Sequence, residues 1–506
     1  MKKASNEFLR EALAQMPRLL GQLNRNPSSL SYGSFDRAFW HYRTNDISCA
    51  RYQEAVYTLT LLFCSQFEGN EYYRDEKILE WIRAALCFTA NLQRSNGSFD
   101  EWYVNEGSYV ATAFLTSAIG QTILLLKSND INFAEEILTR NVLKKAADFL
   151  LEIKENTVMN QVSGAIFALA LAGKDTGHLL EEFLEKQNEE GWWSEYGGPD
   201  IGYLSLTISY LEKYRKLTHS TKADAAISKA KKFVETFINP DHTAGGEYMS
   251  RNTEYIIPST SLAYLGAVRP AHLDDRYLCY ILYNWIETGI EIAPQPIKVS
   301  LGESFFNESS ILRVVNKKYY LVSNAKKGGS FRLYSGGKVY FDSGLEINFG
   351  GEKFSTGILD SANEISFQTG ILKTSGSAKK IKEPLLKTHT AIVFKLWQFI
   401  FGRIPYLYKF VKDLLRHKMI SYSGVSAVPF KRVIEYSPHK VIVTDTVFGV
   451  DLKDDIISGV KASYSAVPSS KYAPIPELAR NRLSPVLEEK LEGNAYIIKR
   501  TFSFND

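Results

Sequence analysis

Glu190-Gly-Trp-Trp-Ser-Glu-Tyr-Gly-Gly-Pro-Asp-Ile-Gly-Tyr203 runs without a break into Leu204-Ser-Leu-Thr-Ile-Ser-Tyr-Leu211. The first part reads as a tight loop, because its four glycines let the backbone turn where other residues cannot. The second reads as a helix. Three carboxylates (Glu190, Glu195, Asp200), two tryptophans and two tyrosines crowd the loop. Acid/base groups beside flat aromatic faces suit a carbohydrate cleft, and a well-packed loop capping a helix is the plainer alternative.

Two other loops share the pattern of glycine, aromatics and an acid: Asn96-Gly-Ser-Phe-Asp-Glu-Trp-Tyr103 and Gly245-Gly-Glu-Tyr-Met-Ser-Arg-Asn-Thr-Glu-Tyr255. Each precedes or joins a helical pattern. Ala50–Phe67, Ser108–Lys127 and Asn160–Gly173 are built almost wholly of apolar and small residues, whereas Leu179–Lys186 and Ala223–Phe237 carry a charged face. Asp75–Arg94 sets Ile78, Ile82 and Leu86 at helical spacing. Alternation of all-apolar with amphipathic helices predicts concentric rings, the inner helices buried and the outer ones half exposed. A loop type recurring at the helical hairpins predicts a toroid with those loops gathered on one face.

Near Ile292-Ala-Pro-Gln-Pro-Ile297 the hydrophobic period changes to two. Strands are predicted at Tyr319–Ser323, Ser330–Tyr334, Lys338–Asp342, Glu364–Gln368, Arg432–Tyr436, Val441–Phe448 and Ala495–Phe504, with Ser335-Gly-Gly337 as a hairpin turn. Strands following a run of helices predict an α+β multidomain chain: an α/α toroid over 1–292 and an antiparallel β-sandwich over 293–506. Within the sandwich, Thr388–Ile420 reads as two helices hinged at Gly402 and Pro405, with Lys395, Arg403, Lys409, Lys412, Arg416 and Lys418 against Asp413 alone. A basic, aromatic, amphipathic stretch suits an anionic membrane surface, and packing on the toroid is the alternative.

The bulk numbers narrow the class. A chain of 506 residues, 45% hydrophobic and 23% charged, is globular and long enough for two or three domains. A net charge of +4 without a basic stripe in the helical part argues against nucleic acid and permits a polyanionic substrate. Cys49, Cys64, Cys87 and Cys279 lie scattered in mostly apolar patterns, as reduced core residues. His389, His417 and His439 are too widely spaced for a metal site, and no cofactor is expected. The first residues lack the apolar run of a secretory signal, so a cytoplasmic protein, peripheral at the inner membrane face, is the expectation.

The order of Tyr32-Gly-Ser-Phe-Asp-Arg-Ala-Phe-Trp-His-Tyr42, Asn96–Tyr103, Asn160-Gln-Val-Ser-Gly164 and Gly191–Tyr203 resembles bacterial heparinase II/III-like polysaccharide lyases. The resemblance implies β-elimination at a uronate of an acidic polysaccharide; the missing signal together with the basic insertion points to a role beside polysaccharide synthesis or export. It implies that Asn160 holds the uronate carboxylate and that Tyr203 exchanges protons with the sugar. Gln161 stands where many such lyases have His, and glutamine cannot accept a proton near neutral pH. Arg251 is the candidate to clamp the carboxylate or to lower the phenol's pKa. His41, Glu101, Trp102, Trp192, Trp193, Glu195, Asn252 and Glu254 are the candidate substrate-binding residues. A toroidal glycoside hydrolase using Glu195 with Asp200, or Asp100 with Glu101, is the rival enzyme. A glycan-binding protein without catalysis is the third reading.

Overall fold

The computed structural model describes residues 6–504 apart from 134, 154, 157, 267, 382–386, 402–425, 450–455 and 458–481. The N-terminal region holds α1 (Glu7–Leu13), α2 (Met16–Gln22), α3 (Arg37–Trp40), α4 (Ala55–Cys64), α5 (Glu76–Leu92) and α6 (Tyr109–Ser128). It continues with α7 (Glu136–Glu152), α8 (Met159–Leu171), α9 (Gly177–Glu185), α10 (Ile201–Thr218), α11 (Asp224–Thr236) and α12 (Asp275–Glu291). Neighbours in space run α12–α4–α6–α8–α10, which forms an inner ring. Its helices are apolar on nearly every side; α4 buries all ten of its residues. The helices α5, α7, α9 and α11 each keep a polar face, and they pack outside the ring.

This geometry explains one feature of composition. α6 is long and apolar enough to cross a membrane, but 83% of its apolar window is buried. An inner helix meets apolar neighbours all round, so no polar stripe is retained. The ring closes less tightly between α10 and α12, which meet through side chains, Ser209 Oγ with Asn284 Oδ1 (3.2 Å) and Lys213 with Glu287 (2.6 Å), and the irregular segment 253–263 also lies against α10. It is fastened there by Ile257 N–H to Ser205 Oγ (2.9 Å) and Ser261 N–H to Glu212 Oε1 (2.9 Å). The helix expected over Ala50–Phe67 is shorter. It begins as a 3-10 turn, Ala50–Glu54, tied by Ala50 N–H to Asp100 O, and ends at Cys64.

The chain then builds two antiparallel sheets. The first is a meander of β1 (Gly302–Phe306), β2 (Ile311–Val315), β3 (Tyr320–Asn324), β4 (Ser330–Ser335) and β5 (Lys338–Asp342). Its last hairpin pairs Ser335 with Lys338 across Gly336 and Gly337 (φ +55° and +71°), a two-residue turn that needs both residues left-handed. The second sheet comprises β6 (Glu346–Phe349), β7 (Glu352–Ser355), β8 (Glu364–Gln368), β9 (Ile371–Lys380), β10 (Ser426–Ser437), β11 (Lys440–Phe448), β12 (Ile456–Ile457), β13 (Val486–Glu492) and β14 (Ala495–Ser503). The order is β12-β6-β7-β9-β10-β11-β14-β13, with β8 on β9.

Strands β2, β3 and β4 are buried along almost their whole length, on both faces. One face sets Leu312, Leu321, Phe331 and Leu333 against Leu372, Ile434, Val443 and Phe502 of the second sheet. The other sets Ile311, Val315, Tyr320, Val322 and Tyr334 into the core of the toroid. The first sheet is therefore the middle of three layers. The two sheets are fastened by a buried group of four charges: Arg432 and Arg500 each pair with both Asp342 and Asp445. All four side chains are at most 1% exposed.

The insertion yields one described helix, α13 (Thr388–Phe401); the rest of the expected pair, 402–420, lies outside the described residues. α13 touches the toroid through Lys395 Nζ to Asp46 Oδ2 (2.6 Å) and the Phe394 ring against Tyr103, with Gln398 buried. Ile392, Val393, Leu396, Phe399 and Ile400, a stripe at helical spacing, are 56–84% exposed.

Candidate active site

The 3-10 turn before α4 and the first turns of α6, α8, α10 and α12 converge at one end of the toroid. They enclose a narrow cavity of about 40 Å³ lined by Arg51, Phe114, Asn160, Gln161, Tyr203, Tyr255, Tyr277 and Tyr280. That is room for a few water molecules. Asn160 and Gln161 thus line the same cavity as Tyr203, some forty positions further along the chain.

Asp200 organises the start of α10. Its Oδ1 caps the helix by accepting Tyr203 N–H (2.8 Å) and also accepts Arg251 Nη2 (2.8 Å), while Oδ2 accepts Thr253 Oγ1 (2.7 Å). Arg251, fully buried, lies with its guanidinium carbon 3.1 Å from the centre of the Tyr203 ring. Burial opposes the charge on Arg251, but Asp200, Tyr203 and Tyr255 outweigh it and the guanidinium stays protonated. For the Tyr203 phenol, burial wins: its pKa is pushed well above the ordinary value although Arg251 pulls it down. Arg251 stands over the phenol ring, and the net shift is upward because desolvation of a phenolate is the larger effect.

Asn160 does not cap its own helix. It sits in the first turn of α8, whose capping residue, Val158, supplies no side-chain acceptor. Glu195 does that work from a distance: Oε1 accepts the Asn160 backbone N–H (2.7 Å) and Nδ2 (3.1 Å). A β-bridge between Val158 and Glu195 brings the two segments together. The carboxyl's second oxygen is buried and meets no hydrogen-bond partner among the described residues. Burial, only partly offset by Asn160 and Arg251, pushes the pKa of Glu195 up to about 8.

The remaining candidates fall into four groups. Glu101 is buried and pairs with Arg276 of α12, while also accepting Ser108 Oγ (3.1 Å). Arg276 lies over the ring of Trp102 (4.1 Å), which is half exposed. Trp192 and Trp193 turn away from the cavity. Trp192 donates Nε1–H to Glu190 Oε2 (2.8 Å), and Trp193 stacks on Phe183 of α9 and donates to the Phe183 carbonyl (2.9 Å). His41 is exposed on the turn after α3, edge-on to Trp40 and Tyr42, and does not line the cavity. Asn252 and Glu254 face the sandwich: Asn252 Oδ1 accepts Lys327 Nζ, and Glu254 with Glu247 clamps Arg332 of β4.

Arg51, Tyr255, Tyr277, Tyr280 and Arg276 were not singled out in the sequence. The signal for three of them is legible in retrospect: Arg276, Tyr277 and Tyr280 open α12, with Tyr283 continuing the three-residue spacing. Arg51 pairs with Glu54 and lies over Tyr280 (3.9 Å) and Phe114 (4.6 Å). Arg51, Arg251 and Arg276 therefore repeat one device, a guanidinium held by a carboxylate and laid on an aromatic face. Of the carboxylates proposed for a hydrolase, Asp100 accepts Asn105 N–H and Gly107 N–H, Asp200 and Glu101 each hold an arginine, and Glu195 is engaged through one oxygen only.

A larger cavity, about 430 Å³, opens at the opposite ends of the same helices. Its charges are satisfied internally, Lys213 by Glu287 (2.6 Å) and Lys216 by Glu291.

The sequence matches no family model and no curated protein. Solved structures do match. The chondroitin AC lyase of Streptomyces coelicolor A3, solved in complex with chondroitin sulphate, aligns with a TM-score of 0.51 over 88% of this chain and 67% of its own, at 9% identity. The chain has the fold of the α/α-toroid polysaccharide lyases. A chondroitinase AC lyase known from enzyme–oligosaccharide complexes aligns at a TM-score of 0.44 over 88% of this chain and 65% of its own, at 13% identity. The coverage takes in the sheets as well as the toroid.

Proposed function

We propose that this toroid-fold lyase relative binds a uronate-containing acidic polysaccharide across the mouth described above and cleaves it by β-elimination, as a heparinase II/III-like lyase. The observation that carries the reading is the cavity that Asn160, Gln161 and Tyr203 line together, with Arg251 stacked on the Tyr203 ring. The C5 proton of a uronate is weakly acidic, so the adjacent carboxylate must be neutralised; the Asn160 and Gln161 amides donate hydrogen bonds to it and Arg251 supplies positive charge. The C5–H bond breaks as the C4–C5 double bond forms and the C4–O bond breaks. The phenolate form of Tyr203 takes the C5 proton, and the resulting phenol returns a proton to the departing oxygen. Trp102 offers a platform for a sugar ring outside the cavity.

A second reading, glycan binding without cleavage, draws on two observations: Gln161 cannot act as a base, and burial holds the Tyr203 phenol protonated. Incubation with a panel of uronate polysaccharides separates the two. A lyase generates the ultraviolet absorbance of an unsaturated uronate, a hydrolase releases reducing ends without it, and a binding protein does neither. Turnover that survives in Tyr203→Phe would remove the mechanism.

The reading extends to location. The exposed apolar stripe of α13, continued in sequence by Arg403, Lys409, Lys412, Arg416 and Lys418, fits the surface of an anionic membrane beside which a nascent or lipid-linked acidic glycan is trimmed or held. Flotation with vesicles of phosphatidylglycerol and phosphatidylcholine tests it; absence of the protein from the anionic vesicles removes the membrane contact.

A further inference from the structure

The β-sandwich reaches into the toroid with polar side chains that converge on the turn carrying Arg251. Asn324, at the end of β3, donates Nδ2 to the Tyr248 carbonyl (2.8 Å). Arg332 of β4 donates to Glu247 (2.9 Å from Nε to Oε1) and pairs with Glu254. Lys327, in the 3-10 turn after β3, is 4% exposed. Its Nζ donates to the Glu247 carbonyl (2.7 Å), the Met249 carbonyl (2.6 Å) and Asn252 Oδ1. Three acceptors match the three hydrogens of an ammonium, and they bracket Arg251 on both sides in the chain. The turn is shaped for this contact. Gly246 adopts φ +130°, and a Cβ there would stand 2.6 Å from Arg332 Nη2. Asn252 adopts φ +61°, a left-handed conformation that Asn tolerates.

We propose that Lys327 is a positioning residue of the toroid site, folding the 247–252 turn so that Arg251 lies against the Tyr203 ring. The sandwich is then a working part of the site and not an appended module. The inference rests on the reading of Tyr203 and Arg251 as site residues, and it adds a condition on it. Burial lowers the Lys327 ammonium's pKa to about 7, against the pull of Glu247 and Asp200. The other charges of this junction are held elsewhere: Asp200 on Arg251, Glu247 and Glu254 on Arg332. A neutral amine has two hydrogens for three acceptors, so the turn loosens as pH rises through this range.

The test uses the full chain with Lys327→Met, which keeps the unbranched stem and most of its length without the charge, and Asn252→Gly, which keeps the left-handed backbone and deletes one acceptor. Amide hydrogen exchange is followed over residues 245–257. Loss of a hydrogen bond from a charged donor raises local opening by about tenfold or more, so both variants are expected to exchange faster in this segment alone. Wild-type protection there is expected to fall between pH 6 and 8 beyond the intrinsic pH effect, and Lys327→Met to lack that excess. Where wild type cleaves a polysaccharide, kcat is expected to fall at least tenfold in Lys327→Met with a smaller change in KM. Unchanged exchange over 245–257 in both variants overturns the proposal, and Asn252→Gly decides it if Lys327→Met does not fold. A wild type that neither binds nor cleaves any uronate polysaccharide, with exchange as expected, overturns the functional reading and leaves the positioning intact.

Discussion

Replacing Glu195 by glutamine tests the electrostatics of the site independently of any substrate. The Oε1 of Gln can still accept both N–H groups of Asn160, whereas the titratable proton is gone. In wild type the carboxyl has a pKa of about 8 in the fold against an ordinary 4.5. Between those values the native protein holds a proton that the unfolded chain has released, so stability falls as pH rises, by about 1.4 kcal/mol per pH unit. From pH 5 to pH 8 the loss amounts to roughly 3–4 kcal/mol, on the order of a third of a typical domain's stability. Glu195→Gln is expected to lie within about 1 kcal/mol of wild type at pH 5 and to exceed it by roughly 3 kcal/mol at pH 8. Urea unfolding at pH 5, 6, 7 and 8, followed by tryptophan fluorescence, measures this; other titrating groups cancel in the difference between the two proteins. A difference that does not vary with pH, or that moves in wild type's favour as pH rises, would refute the reasoning, because it would mean that Glu195 is ionised in the fold.

Tyr203→Phe keeps the ring on Arg251 and is expected to lower any lyase turnover by about 100-fold or more while leaving polysaccharide affinity within a few-fold, read by product absorbance and by calorimetry. Arg332→Met strands Glu247 and Glu254 in the buried junction, at a cost of about 3–5 kcal/mol in urea unfolding; the cost should be smaller at pH 6 than at pH 8, since Glu254 stands at about 7 only with Arg332 pulling it down, and without the arginine it holds its proton to higher pH than in wild type. Phe399→Ser combined with Ile400→Ser is expected to weaken anionic-vesicle binding at least tenfold in flotation, with unfolding unchanged, because both side chains are more than half exposed.

The inner and outer helices were legible because burial on all sides and burial on one face leave different composition: α6 and α8 against α9 and α11. The predicted strands correspond to β3, β4, β5, β8, β10, β11 and β14. β13 escaped, since Val-Leu-Glu-Glu-Lys-Leu-Glu is fully exposed, and a charged edge strand looks helical to a periodicity argument. In the site, Asn160, Gln161, Tyr203 and Arg251 stood out from local motifs. Their supports did not. That Glu195 caps α8 and that Glu254 faces a sandwich arginine are long-range pairings, which leave no local trace. The buried position of Arg332 was equally silent, because an arginine between Phe331 and Leu333 looks like the solvent side of a half-exposed strand. It faces the toroid instead.

The dependence of the Arg251 turn on Lys327 and Arg332 has a consequence for synthesis. The chain emerges from its N-terminus, so the five inner helices are complete at Glu291 while the residues that shape the turn are still to be made. Arg332 follows Arg251 by 81 positions (332 − 251). At ~5–20 residues per second the interval is roughly 4–16 s. During it a half-made toroid carries its arginine on an unclamped segment and leaves the surface later covered by β2, β3 and β4 open to water. The turn is not clamped before the first sheet exists, and only then is that surface buried.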